Sequence, residues 1–275
     1  MKHFAIISNG KKDEGLSVAK SILEKLEGAG AGGQVLDLCR ETLEVSPEAE
    51  AIIVIGGDGS MLSAVKRTRA KLPLIGINRG NVGYLTEVEE SEIDTLIRRL
   101  IADDVHIEER MMLKGRTLTD GEEPGESAVA LNDVVLSRRG DLQVVGYRIF
   151  VNGLFLTDYY ADGVILSTPT GSTGYNLSAG GPIVEPSASL ILLTPVCPHT
   201  LNSRSIILSA EDTVTVRLLP PKHENAQAGA DFDGDTRKIL CSGDGIEVSK
   251  ADVVTRMIKL GQDGFLQILH KKIAN

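Results

Sequence analysis

The chain has 275 residues, a formal net charge of −9, 42% hydrophobic and 24% charged positions, which leaves room for one large domain or two medium ones. The acidic balance excludes general nucleic-acid binding, whose affinity comes mostly from a basic face laid on phosphates. The N-terminal FAIIS is too short for a signal peptide, and no apolar run approaches the ~18 residues of a spanning helix, so the expectation is a cytoplasmic chain with no membrane partner.

In chain order, HFAIIS reads as a buried strand, and EGLSVAKSILEKLEG as a helix with Leu16, Ala19, Ile22, Leu23 and Leu26 on one face. A short strand QVLDL follows the flexible GAGAGG. AIIVIGG is a buried strand, residues 60–70 a helix, PLIGIN a strand, and SEIDTLIRRLIAD a helix with an apolar stripe from Ile93 to Ile101. Strands alternating with helices predict an α/β domain on a parallel sheet over residues 1–104. Lys66, Arg67, Arg69 and Lys71 have the spacing of a solvated helix face.

Beyond residue 104 the period changes. VHIEERMMLKGRTLT, AVALNDVVLSR, GYRIFVNGLFLTDY, GVILST, SIILSAEDTVTVRLL and RKILCSGDGIEVSK are strand candidates, which predicts an all-β, sandwich-like domain over 105–257. Asn152 and Gly153 in VNGL both tolerate positive φ and predict a tight hairpin. The tail 258–275 returns to a helical pattern and is expected to pack on the first domain. Cys39, Cys197 and Cys241 have no C-x-x-C spacing, so buried free thiols are expected, without a disulfide framework or a zinc site.

Two segments carry chemistry. AIIVIGGDGS, residues 51–60, ends a buried strand in a glycine turn, where parallel sheets collect ligands. Gly56, Gly57 and Gly59 would let backbone amides approach a phosphate, and the following helix start favours negative charge. Asp58 would repel a phosphate unless it orients or deprotonates an attacking hydroxyl, or acts through Mg²⁺. A plain cap on a strand-to-helix turn also fits, since Asp-Gly pairs recur at Asp120, Asp162, Asp233, Asp244 and Asp263. The loop has neither the Walker nor the dinucleotide glycine pattern. The second segment, residues 161–183, crowds hydroxyls from Ser167 to Ser178 around two glycines and Tyr175, which suits a polar, uncharged ligand such as a nucleoside. Asn132 and Asp133 stand side by side at a strand end or bulge.

GGDGS, GINRGNVGYLT, LNDVV, DGVILSTPTGSTGYNLSAGGPI, LTPVCPHTLNSR and GDGIEVSK, in this order, resemble the NAD kinase family over most of the chain. The resemblance implies an α/β domain, a β domain and a catalytic cleft between them. It implies phosphorylation of the adenosine 2′-hydroxyl of NAD by ATP, with polyphosphate as an alternative donor, and Mg²⁺ arriving with ATP at no tight protein metal site. It assigns the base to Asp58, with Gly59 beside the ligand. Adenosine falls to Asn132 and Asp133, the nicotinamide half to Asp162, and further NAD contacts to Thr173, Gly174, Tyr175, Asn176, Leu177 and Ser178. It implies a homodimer or homotetramer. The chain departs from the family pattern at Asp133 (usually Glu), Gly174 (Ala), Val82 and Tyr84 (Leu and Phe) and Asp235 (often Gln). A lipid or sugar kinase built on the same turn, or a nucleotide-binding regulator without turnover, are the alternative readings.

Overall fold

The computed structural model describes residues 1–80, 83–119, 123, 125–140, 144–200, 203–220, 227–261 and 265–273, without the side chains of 236, 237 and 271–273. Val82, Asp120 and Asp263 lie outside the described residues. Contacts divide the chain into one unit of Met1–Glu109 with Thr255–Asn275 and a second of Arg110–Val254.

The first unit alternates β1 (His3–Ser8), α1 (Ser17–Gly28), β2 (Gly32–Asp37), β3 (Ala51–Ile55), α2 (Asp58–Thr68), β4 (Leu74–Asn78), β5 (Val88–Glu89) and α3 (Ile93–Ile101). Strands pair in parallel in the order β4-β3-β1-β2, with β5 on β4. Every residue of β3 and β4 is buried, because helices cover both faces of a parallel sheet. On one face Ile53, Ile55, Ile75 and Ile77 pack with Ile22 and Leu26 of α1 and Leu96 and Leu100 of α3. On the other lies α2, whose Met61 sulfur would stand 2.9 Å from a Cβ placed on Gly76.

Several boundaries differ from expectation for local reasons. The first helix is broken after a 3-10 turn at Glu14–Leu16, where Gly15 and Leu16 take φ of 62° and 57°. α1 begins only at Ser17 because buried Asp13 accepts the amides of Val18 and Ala19 and the hydroxyls of Ser8 and Ser17. Burial raises the pKa of the Asp13 carboxyl, but those hydrogen bonds outweigh it and the net shift is downward. α2 begins at Asp58, two residues earlier than the pattern suggests, with extended Gly57 before it. Arg67 is half-buried and donates to the carbonyls of Leu38, Arg40 and Glu41, so the basic run is not a solvated face throughout. The three cysteines are free but exposed, which corrects the expectation of buried thiols.

The second unit carries β6 (His106–Leu118), β7 (Ala128–Ala130), β8 (Asp133–Arg139), β9 (Val145–Val151), β10 (Leu154–Ala161), β11 (Gly163–Ser167), α4 (Tyr175–Ser178), β12 (Leu190–Val196), β13 (Ile206–Ser209), β14 (Val214–Leu218), β15 (Gln227–Phe232), β16 (Asp235–Leu240) and β17 (Gly245–Lys259). One sheet runs β10-β9-β14-β17, with β6 on β17 and β7 on β6. The other is antiparallel, in the order β13-β12-β11-β8-β15-β16. Tyr147, Ile149, Val216 and Val248 of the first share one core with Val134, Leu136, Leu166 and Ile191 of the second, as two faces of a sandwich. Asn152 and Gly153, at φ of 51° and 78°, make the hairpin between β9 and β10. From Thr255 on, β17 belongs to the first unit, where Met257 pairs with Leu74 of β4 and α5 (Phe265–Ile273) follows.

Asp13 caps α1 from a buried position, so Asp13→Ala should cost about 2 kcal/mol in urea denaturation. Unchanged stability would remove Asp13 as the residue that sets the helix start.

Candidate functional site

In the first unit the glycine turn leaves β3 and enters α2 without a spacer. Gly56 is buried at φ 147°, and a Cβ there would meet the Ser60 hydroxyl oxygen at 2.3 Å. Gly57 and Gly59 have nothing within 4 Å of their Cβ positions, so no neighbour crowds that side of the turn. Asp58 is the first residue of α2 and is partly exposed. One carboxylate oxygen accepts the amide of Tyr84 and the other that of Leu85, each at 2.9 Å. A carboxylate oxygen has two acceptor positions, so each oxygen keeps one for a further donor. Gly83 precedes those amides, and a Cβ on it would lie 2.1 Å from an Asp58 oxygen. Burial raises the pKa of the Tyr84 hydroxyl, and the Asp58 charge adds to the effect. Its ring lies 6.4 Å from that of Phe265. The buried Thr86 hydroxyl, beside the same glycine, has no hydrogen-bond partner.

In the second unit the polar segment is a built structure, not a loose loop. Thr168 donates to the Leu131 carbonyl at 2.6 Å, and its oxygen accepts the Gly171 amide at 3.0 Å. The Thr168 amide and the Ser167 hydroxyl both reach the Asn132 carbonyl. Gly171 lies so close that a Cβ would meet this carbonyl at 2.2 Å. The chain then forms a 3-10 turn, Thr170–Thr173, and the single turn α4, whose neighbour Ala179 packs on Val135 and Ile165 of the outer face of the sheet.

Asn132 precedes β8, which starts at Asp133, so the pair sits at a strand end. The Asn132 side-chain oxygen is buried and has no hydrogen-bond partner, and a Cβ on Gly174 would lie 3.5 Å from its nitrogen. Thr173 is half-buried, while Tyr175, Leu177 and Ser178 are exposed. Asn176 is fully buried and donates to the Ser172 and Pro182 carbonyls while accepting the Thr194 hydroxyl, so its side chain holds the segment together. Asp162 stands where the chain passes from β10 to β11, paired with Arg138 at 2.8 Å. Burial raises the pKa of the Tyr175 hydroxyl, and Cys197, Asp162 and Asp133 add to it, which gathers these groups in one neighbourhood.

Asp233 was legible in the sequence only as a turn former. It begins a two-residue turn between β15 and β16, with φ of 48° followed by 81° at Gly234. Its carboxylate accepts the amides of Leu131, Asn132 and Asp133 at 2.7, 2.8 and 3.1 Å. Asp133 is 6% exposed, and its carboxyl is pushed up to about 7 by burial first, then by Asp233 and Asp231. Asp235 is exposed on β16.

The fold is that of known NAD(H) kinase structures. Yeast NADH kinase complexed with NADH matches at a TM-score of 0.87 and 22% identity, over 100% of this chain and 88% of that one. An NAD kinase from Archaeoglobus fulgidus in complex with ATP matches at 0.78 and 23% identity, over 99% and 98%. Those likenesses define a two-domain kinase architecture. The sequence goes further, matching the ATP-NAD kinase N-terminal domain over residues 5–105 and the ATP-NAD kinase C-terminal domain over residues 131–260. NAD kinase of Agathobacter rectalis is 41% identical, covering 100% of this chain and 99% of that protein. NAD kinase of Lachnoclostridium phytofermentans is 38% identical over 100% of both. The chain belongs to the NAD kinase family, a family of phosphotransferases.

The raised pKa of Asp133 means that the folded state holds more protons than the unfolded between 3.8 and about 7, so this group lowers stability as pH rises through that window. The stability of Asp133→Asn relative to the parent should therefore rise progressively from pH 5 to pH 8, by an amount on the order of 3 kcal/mol. A stability difference that stays flat over this range in urea titrations would contradict the assignment.

Proposed function

We propose that the chain is an NAD kinase that transfers the γ-phosphoryl group of ATP to the adenosine 2′-hydroxyl of NAD. The observation that carries the proposal is the Asp58 carboxylate, aimed by two amides at the start of α2 beside Gly57 and Gly59, whose Cβ positions are open. Asn132 supplies a buried, unpartnered side-chain oxygen suited to an exocyclic amino group of a base. Thr173 and Tyr175 would add a hydroxyl and a ring for the nucleoside, and Asp133 and Asp162 would face its polar edges. Gly174, Leu177 and Ser178 would shape the same surface, with Asn176 holding them in place.

In the transfer, the ribose 2′-oxygen forms a bond to the γ-phosphorus as the bond from that phosphorus to ADP breaks, and the hydroxyl proton passes to Asp58. Carboxylates are weak bases at neutral pH, so the main contribution is orientation, with proton acceptance late in the step. ATP enters as its Mg²⁺ complex, and the ion neutralises charge on the transferring group.

A homo-oligomer is part of the proposal. β10 and β13 are edge strands, and Leu154, Phe155 and Ile207 on them are 75%, 59% and 57% exposed, which is surface suited to a second copy. No helix among the described residues is long and apolar enough to cross a membrane. Three free, exposed thiols support a reducing compartment such as the cytoplasm.

Supplied with ATP, Mg²⁺ and NAD, the protein should form NADP, and a parallel reaction with polyphosphate as the only donor reads donor choice. Asp58→Asn should reduce turnover about 10²–10⁴-fold while NAD still binds. Turnover near the parent value would remove Asp58 from the chemistry.

A further inference from the structure

The first unit holds a second concavity that the transfer reaction does not use. It has a volume of about 440 Å³, within the range of small-molecule sites. Leu43, Val45, Ala49, Ile52 and Leu72 form an apolar wall between the segment entering β3 and the segment leaving α2. Ala49 and Ile52 are buried, so the wall is continuous with the core. The glycine turn lies at the other end of both β3 and α2, and the 11 residues of the helix span about 16 Å.

Its polar lining is of one sign. Arg67, Arg69 and Lys71 line the cavity together with the hydroxyl residues Ser46 and Thr68, and no carboxylate among the described residues does. Glu44 and Glu48 lie on the same segment but outside the lining. This is a departure for a chain in which 38 acidic side chains outnumber 29 basic ones. The Arg67 guanidinium is held by backbone carbonyls, so its charge is fixed without being neutralised by a carboxylate. The side chains of Arg69 and Lys71 have no hydrogen-bond or ion-pair partner among the described residues. Arg69 and Ala70 both take left-handed backbone, at φ of 56° and 52°, a conformation that non-glycine residues rarely adopt twice in succession.

The bland account of these cations is compensation of the negative end of α2. That end carries only about half an elementary charge, against three positive side chains, and leaves an excess of about two and a half. We infer that this cavity is a binding site for a small amphipathic anion, with an aliphatic or aromatic body against the apolar wall and one acidic group between Arg69 and Lys71. The apolar lining disfavours a bare inorganic anion, and the unneutralised cations disfavour a neutral oil.

The test uses the full chain and the fluorescent aromatic sulfonate 1-anilinonaphthalene-8-sulfonate, displaced by decanoate or by the uncharged 1-decanol. Decanoate should bind at least about tenfold more tightly than decanol. Arg69→Gln with Lys71→Gln should erase that preference while leaving decanol binding and the urea midpoint unchanged. Saturating NAD and ATP should displace neither probe. Equal affinity for acid and alcohol, parental decanoate affinity in the double variant, or displacement by NAD or ATP would each overturn the inference.

Discussion

The geometry of the glycine turn in the first unit depends on one carboxylate accepting two consecutive backbone amides. Tyr84 and Leu85 each donate to a different oxygen of Asp58, which fixes the carboxylate plane. The contact joins the stretch between β4 and β5 to the first turn of α2, so the parallel sheet itself sets the direction of the acid. Gly83 is required for this approach, because any Cβ there would collide with the carboxylate. An acid at a helix start is also favoured by the helix dipole. Asp58 therefore sits among backbone amides that suit both its own charge and a phosphate.

The second unit uses the same device for a different purpose. Asp233 accepts three amides around Asn132 and so fixes the strand end from which Asn132 and Asp133 project. That arrangement places a fixed negative charge close to buried Asp133 and contributes to holding its proton to near neutrality. Gly171 and Thr168 clamp the other side of the same backbone. The Asn132 side-chain oxygen is left buried without a donor, as expected of a surface built to meet one.

The sequence made the architecture legible where periodicity was strong. Buried runs such as AIIVI and PLIGIN, the amphipathic α3 and the Asn152-Gly153 turn each had one physical reading. Strands β12 and β15 were not distinguished, because LILLTPV lies next to the polar segment and QAGADF lacks β-branched residues. SIILSAEDTVTVRLL divides into β13 and β14 on different sheets, a change of partner that no local pattern encodes. Candidate site residues could be named from the sequence only where a motif or polar density marked them. The amides of Tyr84 and Leu85 and the capping role of Asp233 were hidden, since they act through backbone or across about 100 residues of sequence. Exposure of the cysteines and partial burial of Arg67 likewise follow from tertiary contacts, not residue type.

The central claim is that the Asp58 carboxylate, aimed by two amides, meets the sugar hydroxyl that is phosphorylated. A crystal structure of the protein with NAD bound tests it most directly. The account predicts an Asp58 oxygen about 2.6–3.2 Å from the adenosine 2′-hydroxyl, or joined to it by one water, with the Tyr84 and Leu85 amides still in place. A 2′-hydroxyl held by other groups, beyond the reach of a single bridging water from Asp58, would contradict it.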